Sequence, residues 1–202
     1  MKTEAIEFVV ERTTLGPLVV AASDRGVCLV RFGEERRALH ADLAREFPWA
    51  SLVPAGPRVR AWARAIAGCA AGQALRAEIP LDVRGSRFQQ RVWNALRRIP
   101  HGQTRSYAML ARAIGRPEAV RAVARACATN PVPLVVPCHR VVRSDGSPGG
   151  YAFGVERKRA LLHAESDAAD RPAAAQSERA AAISGPPFAE PVRRAAPRPA
   201  AG

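Results

Sequence analysis

The segment 130–142, NPVPLVVPCHRVV, constrains the fold and the chemistry of this chain more than any other stretch. Its three prolines fix the backbone torsion φ and remove amide donors, so they predict a rigid, extended path. On this path the thiol of Cys138 is followed at once by the imidazole of His139 and the guanidinium of Arg140. Positive neighbours can hold a thiolate near neutral pH, so we predict that Cys138 acts as a nucleophile. The alternative is a buried structural cysteine, which is the interpretation we give to Cys127.

Helical periodicity covers residues 86–128, with one clear interruption. Ser86 is followed three residues later by Gln89, which is the signature of a capping box at a helix start. Apolar residues then recur at helical spacing until the break at residues 100–102, Pro-His-Gly. We predict that a second helix begins after this break with Thr104 as its cap.

The second helix ends at Gly115, and Pro117 is predicted to lie in the first turn of a third helix. This third helix carries Arg121 and Arg125, which are four residues apart and therefore share one face. Two short helices joined by a glycine-containing turn are typical of a helix-turn-helix. The alternative is a plain helical hairpin with exposed arginines, and the local excess of positive charge favours the DNA-binding interpretation.

The remaining chain predicts a small N-terminal domain and a C-terminal tail, and the fold class is α+β. In residues 1–81 we predict strands at 4–10, 18–22, 27–32 and 79–83, a hairpin turn at 24–26, and helices at 34–46 and 57–71. Residues 167–202 contain Ala, Pro and Arg but almost no large apolar side chain, which predicts a disordered tail. Residues 82–166 are then the second domain.

Charge is concentrated in that second domain. The chain carries a formal charge of +13, and residues 82–166 hold 15 basic and 5 acidic side chains. Residues 1–81 hold 11 basic and 9 acidic side chains, so the excess is local and predicts a surface that binds a polyanion. The four cysteines and four histidines show no metal-ligand spacing, so we expect no metal and no cofactor. We find neither a long apolar run nor a secretory signal, and therefore expect a cytoplasmic protein without membrane contact.

Several separated motifs agree in order and spacing with one known family. PCHRVV, preceded by NPVP and followed by GGYAFG and VERKRALLHAE, resembles the O6-alkylguanine-DNA alkyltransferases, also called methylated-DNA–protein-cysteine methyltransferases. The resemblance covers roughly residues 84–166 and includes FQQRVWNALRRIPHGQTRSY. It implies a ribonuclease H-like N-terminal domain, which the first 80 residues fit only loosely, and a winged helix-turn-helix-like C-terminal domain. It also implies a monomer that acts on double-stranded DNA containing alkylated guanine.

The resemblance implies direct DNA repair by irreversible, single-turnover transfer of an alkyl group to Cys138. The donor is O6-alkylguanine, or O4-alkylthymine, after the base has been flipped out of the duplex. By the same resemblance His139 takes the thiol proton through a water molecule, and Glu165 orients His139. Tyr107 stabilises the leaving base, and Asn130 holds the active-site turn.

Further positions follow from the same resemblance. It assigns Pro133, Tyr151 and Ala152 to substrate binding, and Arg121 to a finger that replaces the flipped base in the stack. Contacts with DNA are assigned to Arg125, Thr104, Arg105 and Ser106. Some relatives have a hydroxyl side chain at the position of Ala152, so one contact to the base is absent here.

Three alternatives share some of these features. A non-catalytic lesion sensor of the same fold lacks the acceptor thiol, so Cys138 argues against it. A helix-turn-helix regulator does not account for the thiol site. A cysteine hydrolase needs an oxyanion site, whereas this Cys-His pair lies among alkyltransferase motifs.

Overall fold

Apolar and β-branched residues of the first third of the chain form a sheet, and most later residues form helices. The computed structural model describes residues 4–169. The strands are β1 (Ala5–Thr13), β2 (Gly16–Ala22), β3 (Val27–Phe32), β4 (Ser51–Pro54), β5 (Arg105–Ser106) and β6 (Val141–Val142). The helices are α1 (Arg36–Glu46), α2 (Pro57–Cys69), α3 (Arg87–Leu96), α4 (Tyr107–Ala113), α5 (Val120–Ala128) and α6 (Val155–Ala169), and Cys138–Arg140 form one 3₁₀ turn. This is the predicted α+β class.

The larger sheet has the strand order β3-β2-β1-β4 and apolar cores on both faces. Strands β1, β2 and β3 pair antiparallel, whereas β4 pairs parallel to β1. Because successive side chains of a strand point to opposite faces, β2 divides its apolar residues between two cores. Leu18 and Val20 belong to the larger core, and Val19 and Ala21 pack in the smaller core with Leu39 of α1.

The edge strand β3 joins the sheet to the rest of the molecule. The Val30 amide donates to the carbonyl oxygen of Pro131 (2.8 Å), and the Val27 amide donates to that of Pro80 (2.9 Å). Gly26 allows the second contact, because a Cβ atom there would lie 2.4 Å from the Pro80 oxygen. The larger core continues from the sheet into α3, α4 and α5. The division into domains at residues 81 and 82 therefore crosses a continuous core and stays a prediction.

Two strands differ from the sequence prediction. The predicted strand 79–83 is reduced to a single bridge between Leu81 and Val27. Pro80 has no amide hydrogen, so it cannot donate to a ladder at this point. Strand β4 was not predicted, because it has only four residues and ends in Pro54.

The helix starts are confirmed at α3 and corrected at α4. Gln89 N donates to Ser86 Oγ (3.2 Å) and Ser86 N donates to Gln89 Oε1 (2.9 Å), which is the predicted capping box. At α4 the cap is Ser106, whose hydroxyl accepts from Met109 N (3.1 Å), so the prediction of Thr104 is wrong. Residues 105–106 form β5 and pair with β6, which delays the start of the helix by two residues.

Two further boundaries are shifted. α5 begins at Val120 with Ala119 as its cap, so Pro117 lies in the preceding turn and outside the first helical turn. Gly115 adopts a φ of 69° just after α4, as predicted for a helix end. α6 continues through Ala169, three residues beyond the predicted end of the second domain at residue 166. The rest of the predicted tail, 170–202, lies outside the described residues.

Candidate active site

The turn that presents Cys138 is held by the side chain of Asn130. Asn130 Nδ2 donates to the carbonyl oxygen of Val136 (2.7 Å) and to Cys138 Sγ (3.2 Å), and its Oδ1 accepts from Val132 N (3.1 Å). Within this turn Leu134 adopts a φ of 73°, a left-handed conformation that is unfavourable for a γ-branched residue. The turn is therefore fixed by hydrogen bonds that outweigh local strain, which agrees with the predicted role of Asn130.

His139 and Glu165 form a buried pair behind Cys138. His139 Nε2 donates to Glu165 Oε1 at 2.8 Å, and the two side chains are 1% and 3% exposed. Arg140 donates to the same carboxylate through Nε (2.9 Å to Oε2) and Nη2 (2.9 Å to Oε1), and Gly102 N adds a fourth contact (3.1 Å). Burial alone would raise the pKa of Glu165, but the hydrogen bonds and charges of His139 and Arg140 lower it to about 2.

Protonation states follow from this arrangement. Burial lowers the pKa of His139, and the hydrogen bond to Glu165 opposes the shift only in part. The imidazole is then neutral at pH 7 with its proton on Nε2, because Nε2 faces a carboxylate. Its Nδ1 carries the lone pair, is buried, and has no partner among the described residues. Nδ1 is thus the free basic atom of the site.

The environment of Cys138 favours the protonated thiol at rest. Burial raises the pKa of Cys138, and the hydrogen bond from Asn130 and the charge of Lys158 offset this only in part. Arg140 does not serve the thiol, because its guanidinium is engaged with Glu165. The thiol is therefore protonated at rest and needs a base before it can react.

Lys158 is a functional residue that the sequence analysis missed. Its side chain is fully buried, and Nζ donates to the carbonyl oxygens of Val141 and Gly150 (3.4 Å for the latter). Nζ also lies 5.7 Å from the centroid of the Tyr107 ring. The helical stripe Lys158, Leu161 and Glu165 at spacings of three and four could have shown that this lysine points inward.

Cys138 opens onto a cavity of about 440 Å³. Five predicted site residues line it: Tyr107, Arg121, Cys138, Tyr151 and Ala152. The other lining residues are Val120, Ala124, Cys127, Ala128, Arg143, Gly149 and Gly150. An apolar wall with a few convergent polar groups is typical of a small-molecule or base pocket. Burial raises the pKa of Tyr107 to about 12, so its phenol stays protonated and can donate a hydrogen bond.

Other predicted residues lie outside this cavity. Pro133 belongs to the buried segment behind the thiol and does not line the cavity. Arg125 is exposed on α5, and Thr104 is exposed before β5. Arg105 donates to the Thr104 carbonyl oxygen (3.0 Å), and the Ser106 hydroxyl caps α4. Their predicted contacts with DNA stay predictions.

The described part of the chain shows neither a metal-binding cluster nor a membrane-spanning helix. Between residues 4 and 169 we find no group of three or more His, Cys, Asp or Glu side chains arranged to hold a metal ion. Over the same residues no helix combines the length and apolarity that a membrane crossing requires.

Residues 87–167 match a known protein family. The matching family model is described as the DNA-binding domain of 6-O-methylguanine DNA methyltransferase. The methylated-DNA–protein-cysteine methyltransferase of Methanosarcina acetivorans is 35% identical over 158 residues, which cover 78% of this chain and 97% of that relative. This chain belongs to the methylated-DNA–protein-cysteine methyltransferase family.

Other members of this methyltransferase family are similar over different lengths. The bifunctional transcriptional activator/DNA repair enzyme Ada of Escherichia coli K12 is 43% identical over 167 residues, which cover 83% of this chain and 47% of that relative. The crystal structure of Mycobacterium tuberculosis OGT in complex with DNA matches with a TM-score of 0.66 at 35% identity, covering 81% of this chain and 93% of that one. The chain spans about half the length of the first curated relatives that it matches.

Proposed function

We propose that this chain repairs DNA directly, by transferring the alkyl group of O6-alkylguanine in a duplex irreversibly to Cys138. The observation that carries the proposal is that Cys138 opens onto a base-sized cavity while the adjacent His139 is held by Glu165. Relatives named methylated-DNA–protein-cysteine methyltransferase, and a relative solved with DNA, support the same reaction.

The first step is removal of the thiol proton. Nδ1 of His139 is the free base of the site, and we propose that it receives this proton through a water molecule. The Glu165 carboxylate then stabilises the imidazolium, since it accepts from Nε2 at 2.8 Å. The thiolate that remains is stabilised by the Asn130 amide, 3.2 Å from Sγ, and by the buried charge of Lys158.

The second step is displacement at the alkyl carbon. A bond forms between Sγ and this carbon while the carbon–O6 bond breaks, and the electron pair of the broken bond moves to the guanine. Tyr107, which keeps its proton, donates to the developing negative charge on the base. The proton taken from the thiol stays on Nδ1 of His139 until it is released to solvent, and the guanine anion, hydrogen-bonded to Tyr107, takes one proton from solvent as it leaves, so that charge and protons balance. Since the product is a neutral thioether, each chain acts once and needs no cofactor.

Access to the lesion requires that the nucleotide leave the duplex, because O6 is otherwise hidden in the base stack. Arg121 is exposed at the mouth of the cavity and is suited to enter the stack in place of the flipped base. The local excess of basic residues provides contacts with phosphates that do not depend on sequence. We propose that α4 and α5 dock on DNA as part of a winged helix-turn-helix.

The N-terminal sheet is proposed to be ribonuclease H-like. Its order β3-β2-β1-β4, with three antiparallel strands and β4 parallel to β1, supports this assignment. We further propose that the chain acts as a monomer in the cytoplasm on alkylated double-stranded DNA.

The test is an intact-mass and peptide-map measurement after mixing the chain with a duplex that carries one O6-methylguanine. We expect a gain of one methyl group on the Cys138 peptide, saturating at one equivalent. Cys138→Ala should abolish this gain and still bind the duplex, since the thiol is 5% exposed and lies inside the cavity. Tight binding by the native chain without any mass gain would favour a lesion sensor and overturn the proposal.

A further inference from the structure

One wall of the cavity is a loop without regular secondary structure. This pocket loop (residues 143–154) contributes Tyr151 and Ala152 to the cavity. Gly149 is required where the loop passes Tyr107, because its φ is 65° and a Cβ atom would lie 3.3 Å from the tyrosine ring. Few hydrogen bonds within the loop fix its position, so contacts from outside decide where the wall lies.

Two successive residues in the first turns of α6 hold the pocket loop. Lys158 donates to the carbonyl oxygen of Gly150 (3.4 Å), and Arg157 Nη1 donates to that of Phe153 (3.0 Å). Lys158 is also part of the thiol environment, whereas Arg157 does not line the cavity. Arg157 therefore acts on the loop and not directly on the reacting atoms.

Arg157 also binds the N-terminal sheet at two places. Its Nε donates to the carbonyl oxygen of Leu15, in the turn between β1 and β2 (2.9 Å). Its Nη2 pairs with Glu34, just after β3 (2.6 Å). The Arg157 side chain is 22% exposed and that of Glu34 is 82% exposed. The ion pair with Glu34 is therefore an ordinary surface pair of small energy, and the partly buried hydrogen bond to the Leu15 carbonyl oxygen is the contact that fixes Arg157.

Aromatic contacts also connect the N-terminal sheet with the cavity wall. The Arg157 guanidinium carbon lies 5.8 Å from the ring centroid of Phe32 in β3. Phe32 packs edge-to-face on Phe153 (5.8 Å between centroids), and Phe153 packs in the same way on Tyr151 (5.6 Å). The sheet, Arg157 and the cavity wall are thus in continuous contact.

We propose that Arg157 is a positioning residue through which the N-terminal sheet sets the Tyr151–Phe153 wall of the base pocket. This inference rests on the proposed function and adds a role for the N-terminal part of the chain. The planar guanidinium suits the task, because it donates in several fixed directions at once. Arg157 does not touch the Cys138, His139 and Glu165 group, so its loss should affect capture of the base and spare activation of the thiol.

The test compares two reactions of the same thiol in Arg157→Leu and the native full-length chain. Free O6-methylguanine base needs the pocket wall, whereas iodoacetamide, with its reaction followed on the Cys138 peptide by mass spectrometry, needs only access to the thiol and its deprotonation by His139. We expect the second-order rate with the free base to fall about 5- to 10-fold, because the wall occupies its binding position only part of the time. The iodoacetamide rate should not fall. A variant that merely lost stability would change neither rate below its unfolding temperature.

Hydrogen exchange provides a readout that does not depend on activity. Peptides covering residues 149–154 should exchange faster in Arg157→Leu, while peptides of the Cys138 turn should not change. The matched control is Arg159→Leu, whose guanidinium pairs with the exposed Glu156 and with no other acidic residue between residues 4 and 169, and it should leave every readout unchanged. If Arg157→Leu folds poorly, Phe32→Leu interrupts the aromatic path and should give the same pattern.

Three outcomes would overturn the proposal. One is an unchanged free-base rate together with unchanged exchange of residues 149–154. Another is an equal fall in the free-base and iodoacetamide rates, which would place Arg157 in thiol activation. The third is an equal effect of Arg159→Leu. If the native chain accepts no alkyl group at all, the proposed function fails. The role of Arg157 in positioning the wall is then tested only by the hydrogen exchange of residues 149–154.

Discussion

Glu165→Gln should remove a large and pH-dependent part of the stability of this chain. The Glu165 carboxylate accepts from four nitrogen atoms, one of His139, two of Arg140 and the Gly102 amide, at distances of 2.8–3.1 Å. A glutamine has nearly the same volume but no charge. Its amide NH₂ group cannot accept a hydrogen bond, so it would leave some of these four nitrogen donors without an acceptor. The substitution therefore leaves the guanidinium of Arg140, which is 12% exposed, without a counter-charge.

The magnitude follows from the pKa of the carboxyl group. The folded chain lowers the pKa of Glu165 to about 2 from its ordinary value of 4.5. A group with this difference stabilises the folded state by about 3 kcal/mol at neutral pH. Because the folded-state pKa is the lower one, this stabilisation is complete above pH 4.5 and is lost as the pH falls towards 2. About 1 kcal/mol of it should remain at pH 3.

The assay is urea unfolding followed by circular dichroism, for the native chain and Glu165→Gln, at pH 7 and pH 3. We expect the difference in unfolding free energy to be about 3 kcal/mol at pH 7 and about 1 kcal/mol at pH 3. The matched control is Glu156→Gln on the same helix, where the carboxylate is 80% exposed and no change should be measured. A difference that is the same at both pH values would refute the reasoning, because it would then not come from the carboxyl charge.

Two further predictions concern DNA access and the start of α4. Arg121→Ala should slow repair in duplex DNA about 10-fold or more and leave the free-base reaction within about 2-fold, because the role proposed for its guanidinium is to replace the flipped base in the stack. The control Arg125→Ala should weaken DNA binding at low salt, and the difference from the native chain should disappear at high salt. Single-turnover kinetics would reject the finger role if Arg121→Ala lost the same factor in rate on duplex DNA and on the free base. Ser106→Ala should lower the unfolding free energy by about 1 kcal/mol through loss of the helix cap. Thr104→Ala should not change it, and equal effects in urea unfolding would contradict the corrected cap.

Features that depend on neighbouring residues could be predicted from the sequence. The capping box of Ser86 and Gln89 is local, and the structure confirms it. The β2–β3 hairpin and the helical spacing of α3 are local as well. The start of α4 could not be predicted in the same way, because it depends on pairing between β5 and β6, which are 36 residues apart at Arg105 and Val141.

In the active site too, features set by adjacent residues could be predicted from the sequence, and features set by distant residues could not. Cys138, His139 and Arg140 are adjacent in sequence, and adjacency suggested that both basic groups serve the thiol. The structure shows otherwise, because Glu165 from α6 binds His139 and Arg140 together. The sequence suggested that His139 and Arg140 both act on the thiol. Because Glu165 binds both of them, His139 is left as the base and Arg140 stabilises the Glu165 carboxylate. The buried cation whose charge favours the thiolate is Lys158, which lies two helical turns from Glu165 on the same buried stripe of α6.

Because of this stripe, the single helix α6 contributes both to the proton relay and to the wall of the cavity. Glu165 at one end sets the tautomer of His139, and so determines which atom can take the thiol proton. The positive charge of Lys158 at the other end lowers the pKa of the thiol in part, and its Nζ holds the pocket loop at Gly150. Because both side chains project from one rigid helix, any shift of α6 moves the proton relay and the cavity wall together. The contacts of Arg157 with Leu15 and Glu34 act instead on the pocket loop at Phe153, so we propose that the N-terminal sheet influences capture of the base, although none of its residues lines the cavity.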